Sequence, residues 1–350
     1  MSNMKYKKLI ILLIIVAIVA FLGCSNGRKK ISLIEIDDNF IGAVSADDKD
    51  VFYASYDQEA ADLFPSRTWI KKSPIAKDGE PEVIYEFKKA NNISYLKSIK
   101  HKLVLVIDDL KTDKICIFER GELNEVGEAP VGKINPSYSG EILTWLDSKK
   151  GEIYKLDLDS KEIITVDAKN LAMNQYERAF NFENKTYFFE YQDDNKEILN
   201  LVALDWTTKE TEVIIAGVQE SGELKEKPSN IKVNASYIIW QKNSRSDSLL
   251  FVYDREQETL KSYSQDDFGG FIKHTSLIDY RVYVFDESGD YGIEVLDLKK
   301  ESVTDIADIG ELKKDATHFI PVFPYWTKKG FISTGVIDQQ RRLFIIVEGR

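Results

Sequence analysis

The stretch from Tyr237 to Ser264, YIIWQKNSRSDSLLFVYDREQETLKSYS, constrains this chain more than any other, because variants of it recur along most of the sequence. Tyr237 to Gln241 is a short run of β-branched and aromatic residues, the kind that half-buried strands prefer. Lys242 to Ser248 is polar, with the Asn, Ser and Asp that suit a turn. Leu249 to Tyr253 reads as a second strand and Asp254 to Glu258 as a second turn. Thr259 to Tyr263 alternates apolar and polar as a third strand, and Ile231 to Val233 supplies an inner strand ahead of the unit. Four short antiparallel strands joined by polar turns make one propeller-type blade.

Second strands of like units begin near Phe52, Leu103, Ile142, Tyr187, Tyr237, Val282 and Phe331, one every roughly 40–50 residues, as four-stranded blades require. The units match best where the third strand ends: KLDLDSKE from Lys155, ALDWTTKE from Ala203, VYDREQET from Val252 and VLDLKKES from Val295. Each places an Asp at the start of a turn: Asp157, Asp205, Asp254 and Asp297. They form either a ring of carboxylates or a set of residues that cap their own turns, and one turn per repeat favours the caps. The expected fold is all-β, a seven-bladed β-propeller, with six blades as the alternative because the first unit is irregular. Over residues 31–350 this texture resembles the bacterial β-propellers of the TolB, YncE and quinoprotein-dehydrogenase type. The tryptophan-docking pattern of the quinoproteins is absent, so the resemblance implies no quinone cofactor.

The N-terminus carries Lys5, Lys7 and Lys8, then a continuous apolar run from Leu9 to Leu22, then Gly23-Cys24-Ser25-Asn26. A basic start, a short apolar run and a small residue make a secretory signal peptide. Phe21-Leu22-Gly23-Cys24 resembles a bacterial lipobox, although Phe21 and Leu22 depart from its usual residues. The resemblance implies cleavage behind Gly23 and lipidation of Cys24. The expected layout is a signal peptide at 1–23, a lipidated tether at 24–30 and a propeller domain at 31–350, extracytoplasmic and lipid-anchored to the bacterial cell membrane. The alternative is an uncleaved anchor, for which the apolar run falls short of the about 20 residues that span a bilayer. Ile31 to Ile36 alternates like a strand but has no blade, and the last unit, ending in Leu343 to Val347, lacks an outer strand. The two are expected to pair, which removes a free edge.

The 47 basic and 58 acidic residues give a net charge of −11, which argues against a nucleic-acid partner. With Cys24 lipidated, Cys116 in KICIF has no disulfide partner and reads as a small buried hydrophobe. His101, His274 and His318 have no metal-ligand spacing, and there is no nucleophile elbow, Walker or Rossmann glycine pattern. Metal, cofactor and catalytic residues are therefore assigned as none. Asp286-Glu287-Ser288-Gly289-Asp290 resembles part of a calcium loop but lacks its terminal Glu, and reads as a turn. Carboxylate pairs suited to glycoside hydrolysis cannot be singled out among 58 acidic residues.

These absences favour a monomeric binding module for a protein or glycan partner. The alternatives are an envelope enzyme of glycosidase or lactonase type, with carboxylates at the channel mouth, and a structural or sensory subunit of a membrane complex. The longest segments, Asp57–Ser66, Asp167–Gln175, Ala216–Pro228 and Ala307–Thr317, gather on one face, and long loops often carry function. Tyr176, Phe268, Phe319 and Trp326 lie where such links enter inner strands and are the candidate ligand-binding residues. Their competing reading is packing between inner strands.

Overall fold

The computed structural model describes residues 32–35, 40–47, 49–57, 66–75, 80–108, 112–130, 137–147, 150–168, 170–172, 179–192, 198–220, 228–244, 246–286, 292–308, 322–327, 330–337 and 340–347. Every long element among them is a strand. A first short strand, β1 (Ser32–Glu35), precedes a regular succession. The first sheet is β2 (Phe40–Ala46), β3 (Asp50–Asp57), β4 (Arg67–Pro74) and β5 (Glu82–Glu86). The second is β6 (Asn92–Ile99), β7 (Lys102–Asp108), β8 (Thr112–Glu119) and β9 (Glu122–Pro130). The third is β10 (Ser137–Ser139), β11 (Ile142–Asp147), β12 (Glu152–Asp157) and β13 (Ile163–Asp167). The fourth is β14 (Phe180–Phe182), β15 (Lys185–Tyr191), β16 (Ile198–Asp205) and β17 (Glu210–Glu220). The fifth is β18 (Ser229–Val233), β19 (Tyr237–Asn243), β20 (Ser248–Asp254) and β21 (Thr259–Ser264). The sixth is β22 (Ile272–Ile278), β23 (Arg281–Asp286), β24 (Gly292–Asp297) and β25 (Ser302–Asp308).

The last sheet combines the two ends of the described chain. β26 (Val322–Thr327), β27 (Gly330–Ile337) and β28 (Gln340–Val347) stand in sequence order, and β1 completes the sheet beside β28. The pairing is antiparallel, with Ser32 opposite Val347 and Glu35 opposite Phe344. Six of the sheets are thus four-stranded antiparallel meanders with their first strand innermost, and the last has the same order except that its outer strand is β1. Inner strands adjoin one another: β2 lies beside β6 and β26, and β10, β14, β18 and β22 follow in turn. This is propeller architecture.

The core lies between sheets rather than within any one. Trp240 of the fifth sheet is 1% exposed. It stacks on Phe251 at 5.3 Å and meets Phe189 of the fourth sheet edge-on at 6.4 Å. A second cluster joins Val104, Val106 and Ile117 of the second sheet to Leu143, Trp145 and Leu156 of the third. Cys116 is buried between the first two sheets, beside Ala54 and Ile70. Burial pushes its thiol up to about 11, which suits a packing residue. Of the exposed large apolar residues among those described, Val83, Ile163, Val213 and Leu260 stand on outermost strands, and Ile278 ends the innermost strand β22.

Three of the expected links begin later than the sequence suggested. Ala216 to Glu220 is strand, the end of β17, carried past a register irregularity in which the Gly217 N–H donates to Asn200 Oδ1 at 2.9 Å. Asp167 and Ala307–Asp308 likewise end β13 and β25. A 3-10 turn stands at Gln265–Phe268, a segment with no such expectation. Ser264 caps it by donating its N–H to Asp267 Oδ2 at 2.7 Å, and Gly269 ends it at φ 67°.

Candidate functional site

The meander gives the molecule two rims with different chemistry. On one, the third strand turns into the fourth and the first into the second. The four repeated Asp residues lie here, and each carboxylate accepts backbone N–H groups of its own turn, two on one oxygen for Asp157, Asp254 and Asp297. Asp157 accepts from Asp159 and Ser160, both at 2.9 Å. Asp254 accepts from Glu256 at 3.0 Å and Gln257 at 2.9 Å, and Asp297 from Lys299 and Lys300 at 3.1 Å. Asp205 accepts from Thr207 at 2.7 Å. The Asp157 and Asp205 carboxyls sit below the usual carboxylate range, held there first by the backbone N–H groups of Ser160 and Thr207. Lys161, Lys209, Glu258 and Glu301 follow at φ between 52° and 61°, so the four turns share one backbone form. They are caps, not a ring of carboxylates facing a ligand.

The residue after each Asp ties neighbouring sheets together. Leu158 packs among Tyr95, Ile99 and Val104 of the second sheet. Lys155 of the third sheet sits over the Trp206 ring at 5.6 Å. The Trp206 indole N–H donates to Thr186 Oγ1 at 2.7 Å. Thr186 and Thr144, from adjacent sheets, both donate to Asn181 Oδ1, at 2.8 and 2.7 Å. Arg255 lies over the Phe182 and Tyr187 rings of the fourth sheet and donates to the Asn234 carbonyl at 2.8 Å. This rim is occupied with holding the molecule together.

The opposite rim carries the links between sheets and the turns from second to third strands. At the junction of the fifth and sixth sheets, Gln241 Nε2 and Asn243 Nδ2 both donate to the Ile272 carbonyl, at 3.1 and 3.0 Å. Ser248 Oγ accepts the Ile272 N–H at 2.8 Å. Asn230 and Thr275 donate to Gln241 Oε1 at 2.7 and 3.3 Å. Asn243 Oδ1 is buried and accepts no hydrogen bond among the described residues. Amides and hydroxyls of this kind recognise by hydrogen bonding and carry no acid–base chemistry near neutral pH. Sequence reasoning missed this group: Gln241-Lys242-Asn243 reads as the end of a strand and the start of a turn, and only the register across two sheets brings it to Ile272. On the fourth sheet, burial holds the half-buried Glu190 carboxyl above its ordinary range.

The four candidate aromatics do not assemble into a described site. Phe268 is fully buried, packed with Ile239, Leu250, Val282 and Leu296 and tilted against Tyr263 at 6.3 Å. It belongs to the core, because the 3-10 turn folds it inward, and it presents nothing to a partner. Ser264 with Asp267, followed by Gly269, was the sequence signal of that turn. Trp326 lies in β26, paired with Phe331. Tyr176 and Phe319 lie outside the described residues, as do Cys24, His318 and 287–290. His101 is exposed, and the His274 ring lies 6.4 Å from Phe285. No group of three potential metal ligands occurs among the described residues.

No family model matches this chain, and no curated protein sequence does. Solved structures with similar coordinates are propellers. The propeller domain of the Trilobed protease from Pyrococcus furiosus, described as having an open velcro topology, aligns with a TM-score of 0.64 at 12% identity, covering 89% of this chain and 96% of that one. An uncharacterised protein from Listeria monocytogenes aligns at 0.54 and 11% identity, covering 80% and 86%. The WD40 domain of Toxoplasma gondii coronin aligns at 0.54 and 9%, covering 92% and 87%. At these identities the likeness is one of fold, and the fold it supports is the β-propeller.

Proposed function

We propose that this chain is a lipid-anchored envelope protein whose seven-bladed propeller holds a protein or glycan partner through its long-link rim. The seven sheets are read as seven blades around one axis, the last joined to the first through β1. The observation that carries the reading is the division between rims. Where the repeated turns lie, carboxylates and ring contacts are taken up by internal bonding. The other rim collects the links, whose extra length costs little stability and leaves them open to binding. Lys5 to Cys24 supports the anchor.

Tyr176, Phe319 and Trp326 are the proposed apolar contacts; Phe268, fully buried in the core, is not among them. The test is capture of a partner from envelope extract by the soluble domain, repeated with Tyr176→Ala and Phe319→Ala. Loss of about 2 kcal/mol of affinity per anchor is expected if they dominate the interface. Undiminished recovery from a folded variant moves the site elsewhere. Cys24→Ala is expected to abolish incorporation of labelled fatty acid, and unchanged labelling would remove the anchor from the proposal.

A further inference from the structure

We infer that the propeller stands on the membrane with its short-turn rim inward, so that the long-link rim faces away and takes a partner lying outside the membrane layer. This rests on the anchor reading above, to which it adds a direction. The direction comes from strand register. Ser32 stands opposite Val347, which stands opposite Gly330. In the fifth sheet the same three levels are Thr259, Asp254 and Tyr237. Asp254 opens one of the repeated turns, and Tyr237 follows the turn from first to second strand. Ser32 is therefore at the short-turn rim, and the chain before it leaves the propeller there.

The length of that leading segment makes the direction matter. Between Cys24 and Ser32 lie eight peptide steps, which reach at most about 28 Å when fully extended. A blade is about 20 Å deep between rims, taking six steps from Tyr237 to Asn243 at about 3.3 Å each. With the short-turn rim inward the tether spans the gap with slack. With the long-link rim inward, the tether would have to run back along the whole outer edge. That would leave only about 8 Å between that rim and the membrane. A partner embedded in the same membrane would then have to reach past the blade, whereas a soluble or wall-borne one meets the open rim directly.

The test uses the full chain, produced with its lipid and incorporated in vesicles whose headgroups carry an energy-transfer acceptor. Donor labels are placed at Gln257→Cys on the short-turn rim and at Ser246→Cys on the other, both exposed positions of the fifth sheet. Cys116 is buried and its thiol is pushed up to about 11, so it escapes labelling. Thr208→Cys and Gln192→Cys form a second pair on the fourth sheet, should either of the first two disturb folding. With rims about 20 Å apart, transfer from the short-turn label is expected to be at least about twofold stronger. Equal or reversed transfer in vesicle-bound protein overturns the orientation and leaves the anchor standing. Protein that fails to float with the vesicles overturns both.

Discussion

The fifth sheet and the terminal sheet have the same four-stranded plan but are held in different ways. The fifth is contiguous: β18 to β21 run from Ser229 to Ser264, and every turn is local. Its Asp254 cap, its Asn234 turn and its Trp240–Phe251 stack all form within one stretch of chain. The terminal sheet takes three strands from one end of the chain and the fourth, β1, from the other. Among the described residues, its outer edge is held by β1 from the other end of the chain rather than by a strand reached through a local turn. A contiguous blade can lose a cap and keep its strands, whereas the terminal sheet depends on a contact that closes nearly the entire chain.

Deleting the chain through Asp37 should have the largest effect. It removes β1 and exposes the edge of β28, and a loss above about 5 kcal/mol is expected. Denaturant titration of the truncated chain measures it, and an unchanged midpoint would show that β28 needs no partner. In the fifth sheet, Trp240→Ala removes a fully buried ring shared with the fourth and should cost about 3–5 kcal/mol. Thermal melts followed by near-ultraviolet dichroism would detect it, and a loss below 1 kcal/mol would mean that the two sheets are not packed through this ring. Asp254→Ala should cost only about 1 kcal/mol, since it frees two exposed N–H groups to water. Asp254→Asn should cost less, because Asn makes the same turn. Equal losses in the two variants would show that charge, not turn geometry, is what Asp254 supplies.

The smallest effect concerns Glu190. Burial raises its carboxyl above the ordinary value, so the folded state holds the proton more tightly than the unfolded chain does. The stability tied to this group is present at pH below the ordinary glutamate range and is lost as pH rises through the folded value. Glu190→Gln should therefore raise the melting temperature at pH 7 and lose that advantage near pH 4. A variant less stable than the parent at pH 7 would mean that the charge is compensated in the fold.

Strand order was legible because it rests on local chemistry. The expected second strands near Phe52, Leu103, Ile142, Tyr187, Tyr237, Val282 and Phe331 begin in the structure at Asp50, Lys102, Ile142, Lys185, Tyr237, Arg281 and Gly330. The Asp-led turns were legible for the same reason, since side chain and N–H partners lie within three residues. The extension of β17 was less so: Ala216–Pro228 read as a link, and Gly217 in fact marks an irregularity inside a strand. Phe268 was misplaced because it packs where the fifth and sixth sheets meet, among residues such as Ile239, Leu250, Val282 and Leu296 that only the folded sheets bring together. The Gln241 and Asn243 pair, bound to the Ile272 carbonyl, was invisible for that reason too.

The residue that follows each repeated Asp reaches back toward the sheet before it. Leu158 packs into the second sheet and Arg255 covers rings of the fourth. This gives the succession of sheets a grammar that reads one way. As the chain emerges from its N-terminus, each new sheet brings the key for a lock already formed, so the lock is filled soon after it appears. A chain cut after the second, third, fourth or fifth sheet ends with its last lock open. Such fragments should be sticky even though each sheet they hold is complete, and internal duplication of a whole unit should be tolerated better than removal of its final turn.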